Sequence, residues 1–468
     1  MLIHLGPFLT ATWGVYDRQM NIGKLRIGLL TVALAGAAEL PVGFDPAKWP
    51  GKMAQDPSSP LTALRQQLIE AERLRDAAKL KSVVAGIHRQ LGAYACVPEV
   101  QPVYGAPLET PLPDLTAVEA LCRKSFETMQ GHNGWEISRQ AKAQGGVPQR
   151  LRTSFRSALS DLRAYEAGLK PAAEYRSVAL QGFDYIASQQ SSTGAFGYPY
   201  NPQAPAGSVS AGMLAIVREG EKRGLKMVEG DWAIEDLDEG GLQFDNGEAG
   251  AGLLHAYSLT GDRKYLESAK RAAEWAMGRK LVANWNYNSF SGWLLARLYR
   301  VTGEKKYLDA AIDKFEFGVL PGQWSNGRWV DQHNARPQYH AVMSRNLVEY
   351  SLALEQAKDP RAGQARGRTE LALDNLALEI NTYGASNAEE GLPLEALSVG
   401  LMAFGPHPQW EKAADVYANY LVNHLMPELI QSRKARPETL TAYVLWRHVL
   451  DHSARACEVK IADCARRY

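Results

Sequence analysis

The segment Thr260-Gly-Asp-Arg-Lys-Tyr-Leu-Glu-Ser-Ala269 decides the fold, because it recurs 42 residues later as Thr302-Gly-Glu-Lys-Lys-Tyr-Leu-Asp-Ala-Ala311. Each copy follows an apolar stretch, at residues 249–259 and 292–301, and opens an amphipathic one. The glycine in the second position of each copy suits the residue just past a helix end. The pattern therefore predicts helical hairpins, each made of an apolar inner helix, a tight turn and a half-exposed outer helix.

Looser copies of this unit lie at residues 341–380 and 395–425, and upstream at residues 172–224. Units of this length bury a core only when neighbouring copies stack against one another. The sequence therefore predicts an all-α fold, an (α/α) toroid of about five or six helical hairpins with an N-terminal helical extension. An open α-solenoid that only binds partners is the alternative.

Composition limits the class of protein and the kind of partner. The chain has 468 residues, of which 46% are hydrophobic and 22% are charged, so it can bury a large core and is not a disordered or collagen-like protein. Its 52 basic and 51 acidic residues leave a net charge of +1. Because this balance gives no broad basic surface, nucleic acid is not an expected partner.

Residues 1–38 have the layout of a secretory signal peptide if the chain starts at Met20. Two basic residues precede an apolar run at residues 27–33, and Ala35-Gly36-Ala37 forms a small-residue cleavage site. An ordinary N-terminal helix is the alternative. We expect an exported protein, periplasmic or secreted, with no membrane span in its mature form.

These observations divide the chain into four parts: the signal peptide at 1–38, an N-terminal helical extension at 39–170, the toroid at 171–450 and a tail at 451–468. Two of the four cysteines lie in the extension and two in the tail. They are compatible with disulfides in an oxidising compartment, but their spacing does not fix the pairing. The sequence does not indicate an oligomeric state.

Two further segments, at residues 190–196 and 323–329, share the pattern Gln-x-x-x-Gly-x-aromatic. Together with the repeated hairpins, they resemble the six-hairpin α/α toroids of carbohydrate-active enzymes, which include glycosidases, polysaccharide lyases and uronyl C5-epimerases. The resemblance covers residues 172–450. It implies the toroid fold and a polysaccharide or oligosaccharide substrate, but it does not select one reaction, since one fold hosts several chemistries.

Polar and aromatic residues are concentrated where the chain leads into the apolar helices. In a ring of hairpins these segments meet at one end of the central funnel. Aromatic faces stack on sugar rings, and amides and carboxylates bind hydroxyl groups. Helix capping is the local alternative for any one of these residues. The expected substrate-binding residues are Trp285, Asn286, Tyr287, Asn288, Trp329, Glu389 and Glu390.

The densest of these segments, residues 331–340, supplies side chains for removing the C5 proton of a uronic acid. The resemblance to toroidal lyases implies a tyrosine that exchanges the proton, a histidine that assists it, and an asparagine and an arginine that hold the carboxylate. Elimination makes such an enzyme a lyase, and reprotonation from the opposite face makes it an epimerase. The residues of matching type are Tyr339, His333 or His340, Asn334 and Arg336.

Glycoside hydrolysis by two carboxylates is the competing reaction. Glu248 or Asp245 would pair with Asp331 as acid and base. We expect an exported polysaccharide-processing enzyme, with a lyase acting on uronic-acid-containing polysaccharide favoured over a glycoside hydrolase, an epimerase or a non-catalytic binding toroid. We expect no cofactor. The sequence has no zinc-binding pattern, although it is compatible with a calcium ion bound by carboxylates.

Overall fold

The computed structural model describes residues 134–431, apart from 207, 283, 324–326, 330–333, 335–336 and 386–390, and scattered positions between 63 and 124. The predicted signal peptide, the tail and the four cysteines lie outside the described residues. Within the described part, no helix is both long enough and apolar enough to cross a membrane.

The described chain is almost entirely helical, which confirms the all-α prediction. A 3₁₀ turn at Leu320–Gly322 and a π-helical turn at Leu421–Leu425 interrupt the α-helices. The helices are α1 (Gly134–Ala143), α2 (Leu151–Glu166), α3 (Ala172–Ser188), α4 (Val209–Lys222), α5 (Gly241–Thr260), α6 (Arg263–Met277), α7 (Trp285–Thr302), α8 (Lys305–Gly318), α9 (Pro337–Ala357), α10 (Ala362–Tyr383), α11 (Leu392–Phe404), α12 (Pro408–Tyr420) and α13 (Met426–Gln431). The strands are β1 (Tyr198–Pro199), β2 (Val228–Glu229) and β3 (Trp232–Ala233).

Five helical hairpins are present in the part of the chain that the structure describes. The pairs are α2/α3, α5/α6, α7/α8, α9/α10 and α11/α12. The first helix of each pair packs against the first helix of the next, which forms an inner layer, and the second helices form an outer layer. As predicted, Gly261 and Gly303 end two inner helices in the left-handed conformation, with φ of 69° and 71°.

The two ends of the inner layer meet at Glu395 of α11. Its Oε1 accepts hydrogen bonds from Nη1 of Arg345 in α9 at 3.0 Å and from Nη2 of Arg163 in α2 at 2.8 Å. Because α2 belongs to the first of these hairpins and α11 to the last, this contact closes the inner layer into a ring. The fold is therefore a toroid and not an open solenoid.

The structure places several elements differently from the sequence analysis. Helix α2 falls within the predicted extension, 39–170, yet it packs on α3 and α5 as the first inner helix. The predicted unit at 172–224 is not a hairpin, because α3 pairs with α2 while α4 contributes to a separate small core. Helices α5 and α7 begin at 241 and 285 and not at 249 and 292, because their polar first turns are also helical.

The insertion between α3 and α5 forms a small sheet beside the start of α5. Its antiparallel strands lie in the order β1-β3-β2, with Tyr198 opposite Ala233. Met213 and Val217 of α4 share a core with Tyr198 and with Leu242 of α5. The insertion therefore lies against the N-terminal end of one inner helix.

The first Gln-x-x-x-Gly-x-aromatic segment fastens a turn to the next outer helix. Nε2 of Gln190 donates to the carbonyl of Gly194 at 2.8 Å and to that of Ser268 in α6 at 2.9 Å. Gly194 has φ of 89°, and a Cβ there would lie 2.5 Å from the carbonyl oxygen of Arg271. Phe196 is fully buried. Only glycine allows this turn to approach the helix so closely.

The second copy makes the same contacts two hairpins further round the ring. Nε2 of Gln323 donates to the carbonyl of Gly327 at 2.9 Å and to that of Arg368 in α10 at 3.0 Å. A Cβ on Gly327 would lie 2.1 Å from the carbonyl oxygen of Leu371, and Trp329 is fully buried. The shared motif is thus a structural clamp between consecutive hairpins.

Candidate active site

The inner helices run parallel, so their first turns meet at one end of the ring. Arg152, near the start of α2, pairs with Asp245 near the start of α5, while Glu166 at the end of α2 pairs with His255 further along α5. The hydrogen bonds between α7 and α9 are arranged in the same way, because a residue near the start of α7 pairs with an earlier residue of α9 than a residue near the end of α7 does. We call the N-terminal end of the inner helices the mouth of the ring.

Three side chains near the mouth bind outer helices. Nδ2 of Asn246 donates to the carbonyl of Ala272 in α6 at 2.9 Å, and Nε2 of His340 donates to that of Ala372 in α10 at 2.8 Å. Asn288, which follows Asn246 by the repeat length of 42, donates to the carbonyl at the end of α8 at 2.8 Å. All three are fully buried. We call Asn246, Asn288 and His340 the wall positions.

Asp245, Tyr287 and Tyr339 each precede a wall position by one residue, and we call them the inward positions. One residue turns an α-helix by about 100°, which directs these side chains away from the outer layer. Burial, helped by the nearby Tyr339 and Asp245 and opposed by Arg152, raises the pKa of Tyr287 to about 12. The inward side chains therefore lie close together, and Tyr287 is a hydrogen-bond donor at neutral pH and not a base.

Asp245 is fixed by a bidentate ion pair with Arg152. The two hydrogen bonds measure 2.6 and 2.7 Å, and the guanidinium lies 3.7 Å from the ring centroid of Phe244, which stacks on Phe290. Burial lowers the pKa of Arg152, but the charge and hydrogen bonds of Asp245 outweigh this and raise it overall. Because both carboxylate oxygens are occupied, Asp245 supplies a fixed negative charge at the mouth.

Glu248 lies one turn further along α5, on the same face as Asp245. Its Oε1 accepts a hydrogen bond from Nη2 of Arg156 at 2.9 Å. Its Oε2 is buried and has no hydrogen-bond partner among the described residues. A buried polar atom without a partner costs free energy, so a ligand that donates a hydrogen bond to Oε2 is stabilised there. Arg156 is the more accessible of the pair, with 14% of its side chain exposed against 3% for Glu248.

A strained loop supports the start of α5. Oδ2 of Asp236 accepts a hydrogen bond from the backbone N–H of Leu242 at 2.9 Å, and Oδ1 accepts one from Arg279 at 3.2 Å. Burial raises the pKa of Asp236, although Arg279 and the Leu242 hydrogen bond lower it in part. Leu237 and Asp238 have φ of 53° and 66°, a left-handed conformation that is costly for residues other than glycine. The carboxylate and its arginine therefore hold this loop against the mouth.

The structure divides the predicted site residues into three groups. Those at the mouth on the inner face are Asp245, Glu248, Tyr287 and Tyr339. Those engaged in packing or in bonds to neighbouring elements are Trp285, Asn286, Asn288, Trp329, Asn334 and His340. Those outside the described residues are Asp331, His333, Arg336, Glu389 and Glu390.

The residues of the second group are engaged in packing or in hydrogen bonds to neighbouring elements of the fold. Trp285 and Trp329 are buried in the core, and Nε1 of Trp329 donates to the carbonyl of Val319 at 3.0 Å. Oδ1 of Asn334 accepts hydrogen bonds from Nδ2 of Asn286 at 2.8 Å and from its backbone N–H at 3.2 Å. Oδ1 of Asn334 therefore holds the first turn of α7.

His340 shows how a polar residue near the mouth can be occupied by packing and by a bond to an outer helix. It is fully buried, its ring contacts Trp329 edge-on, and its Nε2 is used by the carbonyl of Ala372. Burial and the positive charge of Arg328 lower the pKa of His340 well below its usual value, although the bond to Ala372 opposes this shift. It is thus a neutral wall residue and is not placed to exchange protons at the mouth.

Arg152 and Arg156, which bind Asp245 and Glu248, were not among the residues predicted from the sequence. Arg152, Arg156 and Arg163 recur in α2 at spacings of four and seven residues, which places them on one helical face. The signal was visible, but these residues were assigned to the N-terminal extension. Their position opposite Asp245 and Glu248 depends on how α2 packs in the ring.

Within the described residues, no group of three or more His, Cys, Asp or Glu side chains is placed to hold a metal ion. Residues 330–333 and 386–390, which carry several of the predicted carboxylates, lie outside the described residues. A bound calcium ion therefore stays an untested prediction.

Residues 211–320 match the family described as the β-L-arabinofuranosidase, GH127 catalytic domain. The matched segment extends from α4 to the turn after α8 and includes Asp245, Glu248 and Tyr287. No curated protein sequence matches the chain significantly.

Among solved structures, the chain is similar to a glycosyl hydrolase of family 88 from Bacteroides vulgatus, with a TM-score of 0.44 and 12% identity over 72% of this chain and 99% of that chain. It is also similar to a polysaccharide lyase, with a TM-score of 0.45 and 12% identity over 72% of this chain and 98% of that chain. The third is an unsaturated glucuronyl hydrolase from Streptococcus agalactiae, with a TM-score of 0.41 and 12% identity over 76% of this chain and 98% of that chain. These similarities are too distant to choose a reaction. The family match is to a carbohydrate-active enzyme, which agrees with the resemblance predicted from the sequence.

Proposed function

We propose that this protein is a glycoside hydrolase that cleaves an oligosaccharide or polysaccharide at the mouth of the ring, with Glu248 as the proton-transferring group. The observation that carries the proposal is the Glu248–Arg156 pair. One carboxylate oxygen is held at 2.9 Å, and the other has no partner among the described residues. Such a carboxyl group is oriented, and when its second oxygen carries a proton it can donate that proton to the glycosidic oxygen of a substrate as the bond to the sugar breaks. The match to a glycosidase family supports the same reaction.

Asp245 has a different role in this proposal. Residues three apart on a helix have Cβ atoms about 5–6 Å from each other, so its carboxylate lies near the sugar that Glu248 reaches. Positive charge develops on that sugar in the transition state, and a fixed carboxylate stabilises it. The pair with Arg152 keeps the carboxylate in place. Asp331, predicted from the sequence, is proposed as the second carboxylate, which activates water.

Tyr287 and Tyr339 are proposed to bind sugar hydroxyl groups. Tyr287 is protonated at neutral pH, as its pKa of about 12 requires, so it can donate a hydrogen bond. A lyase is the second candidate, because Tyr339 is an inward position. The bonds of His340 and Asn334 to neighbouring elements weaken that alternative, since two of the residue types that it needs are directed elsewhere.

Export to the periplasm or the medium is part of the proposal. It rests on the layout of residues 1–38, which lie outside the described residues. The polar and aromatic mouth supports a carbohydrate as the partner.

The products of the reaction test this proposal. The purified protein is incubated with aryl L-arabinofuranosides and with neutral and acidic polysaccharides, and both reducing sugar and the absorbance of unsaturated uronyl groups are followed. We expect reducing sugar without that absorbance, and we expect the Tyr339→Phe variant, which loses one hydrogen bond to the sugar, to be slowed but still active. Reducing ends that appear together with the absorbance, and that vanish in Tyr339→Phe, would show a lyase. Sugar binding by calorimetry without either product would show a binding protein.

A further inference from the structure

Four arginines occur at residues 150–166, and one of them has a different kind of partner. Arg152, Arg156 and Arg163 each pair with a carboxylate of another inner helix. Arg150, directly before α2, pairs with Tyr198 of β1. Its Nη2 donates to the phenolic oxygen at 2.6 Å, and its guanidinium carbon lies 4.8 Å from the ring centroid. The charge of Arg150 is therefore held in place by a neutral group.

This pairing leaves Arg150 able to bind an anion. A guanidinium carries several N–H donors in a rigid plane, and among the described residues the side chain of Arg150 is bonded to Tyr198 alone. Arg150 is half-buried and Tyr198 is 8% exposed, so the pair is supported by the fold and still accessible. A tyrosine orients the cation without neutralising it, and a planar cation of this kind binds carboxylate or sulfate groups through two hydrogen bonds.

The pair lies at the edge of the mouth, next to the residues proposed for catalysis. Arg150 precedes Arg156 by six residues, which is about 9 Å along a helix. Tyr198 follows Phe196 by two residues, and the backbone N–H of Phe196 donates to Oδ1 of Asn246 at 3.2 Å. Since Asn246 adjoins Asp245, the insertion brings Tyr198 to the same end of the ring.

We propose that Arg150 and Tyr198 form a subsite that binds an acidic group of the substrate, a carboxylate or a sulfate, on a sugar next to the one that is cleaved. The inference rests on the proposed function in placing the cleaved bond at Glu248. It makes Arg150 a specificity-determining residue: acidic glycans bind at this subsite more tightly than neutral glycans of the same length.

Calorimetry on the full chain tests the subsite without turnover. An acidic oligosaccharide and its carboxyl-reduced form are titrated into the Glu248→Gln variant, with and without Arg150→Gln. We expect Arg150→Gln to weaken binding of the acidic form about 10- to 100-fold and to leave the reduced form unchanged. Arg150→Lys, which keeps the charge but loses the planar fork, restores part of the affinity. A sulfated neutral oligosaccharide shows which anion is preferred.

The matched control is Arg176→Gln on outer helix α3, where the guanidinium carbon of Arg176 lies 5.9 Å from the ring centroid of Tyr165. It is expected to change neither affinity. Equal weakening of the acidic and reduced forms by Arg150→Gln, or no weakening, overturns the subsite. If the subsite result holds while the wild-type protein releases no reducing sugar, the hydrolase proposal fails and the subsite stands.

Discussion

The wall positions and the inward positions are adjacent in sequence, yet their side chains meet different surroundings. Every wall side chain donates a hydrogen bond to a carbonyl of an outer helix or of its end. The inward positions carry one acid and two phenols: Asp245 pairs with Arg152, and Tyr287 lies near Arg152 and Tyr339. Each wall position needs a side chain with an N–H donor, and both an asparagine amide and a histidine imidazole provide one. Near the mouth, a polar residue is thus a catalytic candidate only if its position on the helix directs its side chain away from the outer layer.

The largest effect on stability is expected at an inward position. Asp245→Asn leaves the buried Arg152 without a counter-ion, so the free energy of unfolding should fall by about 3–5 kcal/mol, as measured by urea denaturation. The control is Asp309→Asn, which breaks an exposed pair with Lys305 and should cost about 0.5 kcal/mol or less. A cost at Asp245 no larger than at Asp309 would mean that the buried pair does not exist.

A wall position should affect stability but not chemistry. Asn288 donates to the carbonyls of Val282 and Gly318 and accepts from the backbone N–H of Val282. Asn288→Ala leaves these buried groups without partners, and we expect a loss of about 2–3 kcal/mol with an unchanged rate per folded molecule. Asn381→Ala, which removes an exposed bond to Gln409, serves as the control. A stable Asn288→Ala protein with a lost rate would remove the distinction between wall and inward positions.

The wall histidine predicts a pH dependence of stability. The pKa of His340 is lowered well below its usual value by burial, so below about pH 6.5 the unfolded chain binds a proton that the folded chain does not. Stability is therefore complete above that pH and falls as the pH drops, by up to about 1.4 kcal/mol per unit. Urea denaturation at pH 7.5 and pH 5.5 should show a smaller decrease for His340→Asn than for the wild type. An identical decrease in both proteins would rule out a buried neutral His340.

The smallest effect is expected when His340 is exchanged for the residue found at the other two wall positions. At pH 7.5, His340→Asn should change the unfolding free energy by less than about 1.5 kcal/mol, because an amide supplies the same kind of donor to Ala372. The rate of substrate cleavage should stay within about 3-fold of the wild type. A folded His340→Asn protein with no activity would instead support the proton-transfer role predicted from the sequence.

The repeat made the fold predictable. The Thr-Gly-acidic turns and the apolar stretches before them gave the hairpins, because the period of the pattern records which helix faces are buried. The limits of α5 and α7 were harder to place, since their first turns are polar and yet lie inside the ring. The role of α2 was missed because its partners, Asp245 and Glu248, lie about 90 residues away in sequence.

Residue types near the helix starts were less informative about the candidate site than the repeat was about the fold. Composition near the helix starts identified Asp245, Glu248, Tyr287 and Tyr339, which the structure places at the mouth. It did not separate these from their neighbours, because Asn246 and His340 are polar in order to bind carbonyls of outer helices. That difference depends on helical phase and on contacts between layers, which the residue types alone do not record.

The central claim is that the free oxygen of Glu248 transfers the proton during glycoside cleavage. The most direct test compares the initial rates of reducing-sugar release by Glu248→Gln and Glu166→Gln on one substrate. Glu166 is the matched residue, because it is also buried and paired, with His255, at the opposite end of the ring. We predict that Glu248→Gln loses about 10²- to 10⁴-fold in rate while Glu166→Gln stays within about 2-fold. Equal rates for the two folded variants would contradict the claim.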